Sequence, residues 1–446
     1  MLTQLQLSNF KSFQQATLNL GGLTLLVGTN ASGKSNVRDA LRFLHGVGRG
    51  YALSDIIGGR FGEGGERIWS GIRGGSREIA LDGARTFALG VTALLDNGVQ
   101  PQLEYWIEVD PGQNNKPATL ISEWLRLRDH DEGGYLFRVD ARRERLPTLK
   151  AWTRRADASG SWRWSPTMPD FEPEARCQKN DPEGITEHYT YDTIIAQRPV
   201  LAQLAESSNP SVNQQIRHIA QALLAELASM RFLDLSPDAM RQPSLPGQLT
   251  LGDQGQNLSS VLYAICADPA KKETLIGWLQ ALTPMDAADF EFPSDLTGKI
   301  IALLIEANGR RTTAYSASDG TLRFLAMLAA MLGPEPARLY LFEELDNGIH
   351  PTRLHLLLQL IEQQVAKGTT RVLATTHSSQ LLRLVSPATR ETTSLVYRLP
   401  GKPVSQIRAI LDLPDVQRLL EEEDLARLHE SGWLEDAVAF TTDEED

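Results

Sequence analysis

The chain has 446 residues, 41% of them hydrophobic and 22% charged, enough for two or three domains with an ample core. Two cysteines, Cys177 and Cys266, offer neither a zinc spacing nor a disulfide framework, and no apolar run approaches the ~20 residues of a membrane span, so a cytoplasmic chain with no membrane partner is expected. The net charge of −12 does not exclude nucleic acid, because 13 acidic and 2 basic residues from Asp412 onward account for nearly all of it.

Residues 2–8 and 15–20 alternate like two strands around the turn Asn9-Phe10-Lys11-Ser12-Phe13. Phe10 and Lys11 either approach a bound base or phosphates, or pack and solvate the turn. Gly22 to Val27 reads as a short buried strand, and Asn36 to Leu44 carries Val37, Ala40, Leu41 and Leu44 at helical spacing. Between them Gly28-Thr29-Asn30-Ala31-Ser32-Gly33-Lys34-Ser35 fits the phosphate-loop pattern G-x-x-x-x-G-K-[S/T] at every fixed position. Glycines let successive N–H groups and the helix N-terminus point at an anion, Lys34 adds a cation, and Ser35 offers a hydroxyl to Mg²⁺. ATP with Mg²⁺ is the expected ligand, held by Gly28, Asn30, Ala31, Ser32, Gly33, Lys34, Ser35 and Asn36.

Residues 47–83 are studded with glycine, with Arg60, Arg67, Arg73 and Arg77 between, and read as loop-rich. Alternating runs between Thr86 and Arg163, separated by Asp-Asn-Gly and Pro-Gly turns, predict an antiparallel β lobe. From Arg126 to Arg163 there are 10 basic and 6 acidic residues, interleaved with Trp152, Trp162 and, just beyond, Trp164. That pattern fits either a grip on nucleic acid or a solvated strand face. Residues 165–195 read as loop or linker. Val212, Ile216, Ile219, Leu223, Leu224 and Leu227 predict an amphipathic helix from Val212 to Met230, and helices are expected over Gly255 to Leu262 and Thr274 to Leu282. Strands Lys299 to Glu306 and Arg310 to Ala314 flank Asn308-Gly309, the pair of a type I′ hairpin.

Ser316-Ala317-Ser318-Asp319-Gly320-Thr321 then opens an apolar helix reaching Leu332, a second candidate anion site. The apolar strand Arg338 to Phe342 ends in Glu343-Glu344, followed by Leu345-Asp346-Asn347-Gly348. One carboxylate is expected in the Mg²⁺ shell and the other beside the water that attacks the γ-phosphate. A helix from Thr352 to Lys367 and a strand Arg371 to Thr375 lead to Thr376-His377-Ser378, where His377 is placed to bond the γ-phosphate or that water.

In this order the parts resemble those of ABC-type ATPases, and the chain is most similar to the RecF/SMC/OLD-related AAA family ATPases of bacterial conflict and DNA-repair loci. The resemblance covers residues 1–48 and 298–400. It implies an α/β fold: an ABC-ATPase head whose mixed β-sheet and phosphate-loop core are split in sequence. The expected layout is head 1–48, Gly-rich loop and β-rich lobe 49–165, linker and helical insertion 166–297, head 298–400, and C-terminal segment with acidic tail 401–446. The resemblance further implies Glu344, with Lys34 and His377, as catalytic residues, and Glu343 beside Ser35 at the metal. Ser318 and Gly320 match the signature turn that completes the site of an opposite subunit, with Asp346 in the inter-subunit turn, so a homodimer or higher even-numbered oligomer is implied. Glu343 stands where Asp is usual, Asp319 stands where Gly is common, and no residue is assigned to the glutamine loop. About 70 residues after His377 leave no room for a nuclease domain, and no heptad run builds coiled-coil arms. The expectation is a slow, ATP-gated sensor or scaffold for a separately encoded nuclease or toxin in anti-phage defence. The alternatives are a RecF-like DNA clamp and a non-hydrolysing ATP-binding module.

Overall fold

The computed structural model describes residues 1–94, 102–113, 116–129, 132–140, 148–154, 189–208, 214–283, 286–399, 401–422 and 424–442. Trp162, Trp164, Cys177 and the closing Asp443-Glu444-Glu445-Asp446 lie outside these residues. The architecture is mixed α/β, and the chain divides into two units that interleave in sequence.

The first unit comprises Met1–Asn19, Ser35–Ser229 and Arg398–Ile407. Its strands run Tyr189–Ile195, Thr148–Arg154, Glu132–Asp140, Thr119–Asp129, Gln102–Asp110, Phe87–Leu94, Leu2–Phe10 and Phe13–Asn19, each antiparallel to the next. The predicted β lobe is therefore an antiparallel meander continuous with the N-terminal hairpin. The first two strands are longer than the alternation suggested, because Phe10 pairs with Phe13 and leaves only Lys11 and Ser12 as the turn. Lys11 has φ +50, a left-handed value suited to such a tight connection, and Asn9, within the strand, has φ +49. Phe10 is fully buried and packs edge-on to Phe87, which meets Phe43 of the helix Lys34–Gly48. The packing reading of Phe10 is thus the one the structure supports. Helix Gln214–Ala228 buries Ile216, Ala220, Leu223 and Leu227, and the start of the predicted helix at Val212 lies outside the described residues. Gly48 permits the two helices to touch, since a β-carbon there would stand 2.5 Å from the backbone nitrogen of Ala228.

The second unit comprises Leu20–Lys34, Met230–Tyr397 and Arg408–Asp446. Five parallel strands lie in the order Ser394–Arg398, Leu23–Val27, Arg371–Thr375, Leu339–Phe342 and Arg231–Leu233. Leu23–Val27 and Leu339–Phe342 are buried at every residue, as strands covered on both faces require. Helices Leu258–Cys266, Pro269–Leu282 and Asp319–Leu332 pack on one another. The segment predicted as one helix from Thr352 divides into a 3₁₀ turn Pro351–Arg353 and the helix Leu354–Val365.

The hairpin at Asn308-Gly309 differs from expectation. Asn308 does not take a positive φ, and of the pair only Gly309 is left-handed, with φ +81. The Gly309 amide donates to the Glu306 carbonyl and the Glu306 amide to the Arg310 carbonyl, so Glu306 and Arg310 close a loop of three residues, 307–309. A three-residue connection needs one left-handed residue rather than the two of a type I′ turn.

Candidate functional site

Parallel pairing determines what meets at the carboxyl edge of the second unit's sheet. Thr375 pairs with Leu26, and Phe342 pairs with Ala374. The three strands therefore end level, and the segments leaving them share one edge, the place where open parallel sheets bind ligands. Those segments are the loop Gly28 to Gly33, the pair Glu343-Glu344 and the turn Thr376-His377.

The loop takes the shape its glycines allow. Gly28 has φ +146 and Gly33 φ +120, while Ala31, the one non-glycine residue of the loop in that region, has φ +62. A β-carbon on Gly28 would overlap the Val396 carbonyl, so the first position accepts glycine alone. The Lys34 ammonium folds back over the loop and donates to the carbonyls of Gly28 at 2.6 Å and Thr29 at 2.8 Å. Burial brings its pKa down to about 8, against the opposing pull of Glu344. Ser32, 2% exposed, has a buried hydroxyl with no hydrogen-bond partner among the described residues. A cradle with a buried cation and an unpaired buried hydroxyl fits a polyanion that would supply the missing acceptors.

Glu344 is exposed and has φ +50, a left-handed conformation costing a non-glycine residue on the order of 1–2 kcal/mol. The conformation is held from both sides. Its amide donates to Thr375 Oγ1 at 3.0 Å, and Asn347 Nδ2 donates to its Oε2 at 3.1 Å. Asp346 accepts from Thr376 Oγ1 at 2.7 Å. Burial lowers the His377 pKa, Lys34 lowers it further, and Glu344 and Asp346 pull it upward. Lys34, Glu344, Asp346 and His377 therefore form one electrostatic group. Glu343 is half-buried beside it in sequence. Among the described residues no three His, Cys, Asp or Glu side chains form a ready metal cage. A Mg²⁺ held by one or two protein oxygens, phosphates and water needs no such cage, and Ser35 and Glu343 have the oxygen chemistry for it.

Ser35 and Asn36 open the helix Lys34–Gly48 within the first unit, where Arg73 donates to the Ser35 carbonyl at 2.7 Å and Asn36 Nδ2 to Ser12 Oγ at 2.8 Å. Asp39, almost wholly buried on that helix, pairs with Lys11 at 2.9 Å and Arg73 at 3.0 Å. Lys11 thus braces the helix through Asp39. The Arg73–Asp39 pairing is a support of this helix that the sequence alone did not reveal, since no local motif joins residues 34 apart.

The Ser318 side chain caps the helix Asp319–Leu332, accepting from the Thr321 amide at 3.2 Å. Gly320 abuts the turn that follows Asp346, where a β-carbon would stand 2.8 Å from the Gly348 carbonyl. Arg241 donates to the Ala317 carbonyl at 3.1 Å and to Asp319 Oδ1 at 2.6 Å. No sequence signal pointed to Arg241, and the local pattern that placed Thr376 and Asn347 in their turns gave neither side chain its task.

A protein-family model described as "AAA domain, putative AbiEii toxin, Type IV TA system" matches residues 23–383, most of the chain. No protein of curated function matches the sequence. Among solved structures, an SMC head bound to the C-winged helix domain of ScpA is 13% identical, covering 91% of this chain and 97% of that one at a TM-score of 0.47. An SMC head domain from Thermotoga maritima is 13% identical over 92% and 98%, at a TM-score of 0.36. An Smc head with an extended coiled coil, bound to the C-terminal domain of ScpA derived from Pyrococcus furiosus, is 13% identical over 94% and 98%, at 0.43. Among the described residues no helix is long and apolar enough to cross a membrane. By the family match, the chain belongs to the AAA domain family.

Proposed function

We propose that this AAA-family chain is a Mg²⁺-dependent ATPase that pairs with a second copy on binding ATP and thereby controls a separately encoded nuclease or toxin. The observation that carries the reading is the convergence of Lys34, Glu344, Asp346 and His377 at the ends of three adjacent parallel strands. Each has a task in phosphoryl transfer to water. Lys34 and the loop amides hold the β- and γ-phosphates. Glu344, exposed and pre-set by Thr375 and Asn347, orients the attacking water and takes its proton. His377, neutral at pH 7 because burial and Lys34 hold its pKa down, bonds a γ-phosphate oxygen without adding a second full charge. Mg²⁺ would neutralise charge on the phosphates, with Ser35 and Glu343 as its protein oxygens.

The Ser318-Asp319-Gly320 turn belongs, in this reading, to the nucleotide of the opposite copy. Its capped helix start offers amides to an anion. The family description names a putative toxin of a toxin–antitoxin system, which fits a role in bacterial conflict; the separate effector is our inference. The test is the mass of the Glu344→Gln chain with and without ATP and Mg²⁺, alone and co-expressed with its flanking genes. A dimer that appears only with ATP supports the gated pair. A monomer at saturating ATP would sink it, and a salt-dependent, ATP-dependent shift of duplex DNA by the chain alone would favour a clamp on DNA instead.

A further inference from the structure

The signature turn carries a carboxylate, and a carboxylate approaching a triphosphate is repelled. Asp319 stands in the first turn of the helix Asp319–Leu332, next to Ser318. The chain meets that problem with a residue 78 positions earlier. Ser236 caps the short helix Pro237–Met240, which packs against Asp319–Leu332. Arg241 follows immediately. Its Nη2 donates to the Ala317 carbonyl at 3.1 Å and to Asp319 Oδ1 at 2.6 Å, and its Nη1 reaches Asp238 Oδ1 at 3.4 Å. One guanidinium therefore bridges the residues on either side of Ser318, and on the far side Gly320 rests against the Gly348 carbonyl.

We propose that Arg241 is a positioning residue of the composite ATP site, clamping the signature turn and cancelling the Asp319 charge so that the turn can close on a triphosphate. The proposal rests on the reading that this turn completes the site of a second copy. The planar fork of arginine suits a carbonyl and a carboxylate set side by side, which a lysine ammonium serves less well. The Arg241 side chain is 23% exposed and that of Asp319 67% exposed, and pairs so open to water contribute little to folding. The clamp thus acts on the turn's geometry and charge, and variants at Arg241 should fold.

The experiment uses full chains carrying Glu344→Gln, titrating ATP with Mg²⁺ and reading dimer mass. Arg241→Ala should raise the ATP concentration needed for pairing about fivefold or more, an effect of the size expected when an opposed charge is left uncompensated at an interface. Adding Asp319→Asn to Arg241→Ala should restore pairing, because the repelling charge is gone although the clamp stays broken. Arg241→Lys should fall between. Binding of a fluorescent ATP analogue to the isolated monomer, which depends on Lys34, should not move. No effect of Arg241→Ala, or no rescue by Asp319→Asn, overturns the charge role. Amide hydrogen exchange at residues 318–321 of the nucleotide-free chain reads the clamp separately: it should quicken in Arg241→Ala, and unchanged protection overturns the clamp. A parent chain that never pairs on ATP would sink the composite-site reading and the charge role with it, while the exchange measurement still decides the clamp.

Discussion

The Thr376 hydroxyl donates to Asp346 Oδ1 at 2.7 Å and accepts from the Ser378 amide at 3.0 Å. Thr376 is fully buried; its bond to Asp346 ties the turn after one strand to the turn after its neighbour, and its bond from Ser378 holds the turn that carries His377. Thr376→Val keeps the shape and removes the donor, leaving a half-buried carboxylate short of a partner. It should cost about 1–3 kcal/mol of stability and slow ATP turnover more than it weakens ATP binding. Denaturant midpoints and steady-state kinetics on one preparation check both.

Lys34 links ATP affinity to pH. Burial holds its folded pKa at about 8, below the ordinary lysine value of 10.5, so the nucleotide-free folded chain loses this ammonium at a lower pH than the unfolded chain does. ATP affinity should decline as pH rises through about 8, because the anion needs the cation. Lys34→Arg, which stays charged, should flatten that slope, and Lys34→Ala should weaken binding by roughly 100-fold, as loss of a charge-assisted contact to phosphate implies. Fluorescent nucleotide titrations from pH 6.5 to 9 decide the matter. Affinity that holds level to pH 9 would remove Lys34 from the contact.

Glu344 joins strain to chemistry. Glu344→Gln keeps the left-handed backbone and should bind ATP while losing roughly 10²- to 10⁴-fold in turnover. Glu344→Gly should also abolish turnover yet raise the unfolding free energy by about 1 kcal/mol, because glycine adopts φ +50 without a steric penalty. A Glu344→Gly chain less stable than Glu344→Gln would show that the side-chain bond from Asn347 outweighs the strain.

His377 should set the acid limb of the pH profile. Its pKa lies below 6.5, chiefly through burial and then through Lys34, so it is neutral at pH 7. Turnover should be level from pH 8 to 7 and fall below pH 6.5 as the ring protonates. His377→Ala should slow turnover about 100-fold and lose that acid limb. Retention of the limb in the variant would assign it to another group.

Glu123 should make the first unit sensitive to pH. It is fully buried and accepts from Tyr105 Oη at 2.9 Å and from the amides of Val200 at 2.6 Å and Leu201 at 2.9 Å. Burial raises its pKa from 4.5 to about 7 despite those donors. A carboxyl with a raised folded pKa contributes stability that is fully present below pH 4.5 and is lost as pH rises through 7. The loss should amount to about 3 kcal/mol. Glu123→Gln should abolish this slope between pH 5 and 8, and equal slopes in both proteins would contradict the assignment.

Contiguous features were legible in the sequence because everything that determines them lies within a few residues. The phosphate loop, Glu343-Glu344, Thr376-His377 and the cap at Ser318 all stand where local pattern put them, each at the end of an apolar run that forms a strand or opens a helix. Where the pattern left a choice, contacts distant in sequence resolved it: Phe10 is core because Phe87 meets it, and Lys11 pairs with Asp39 rather than standing free. The Asn308-Gly309 turn was misjudged because a dipeptide names the residues of a turn but not the length of the loop, which strand pairing sets.

The sequence by itself determined that this chain builds a phosphate cradle on a strand and helix, since glycine positions, the lysine and the hydroxyl act through backbone geometry that is local. Only the tertiary structure decided what surrounds that cradle. Parallel register brings Glu344 and His377 to one edge, Arg241 reaches Asp319 across 78 residues, and Asp39 joins Lys11 to Arg73. The physical reason is that hydrogen bonds and charge act across a few ångströms of space, whatever the separation along the chain, and only folding brings those atoms within reach.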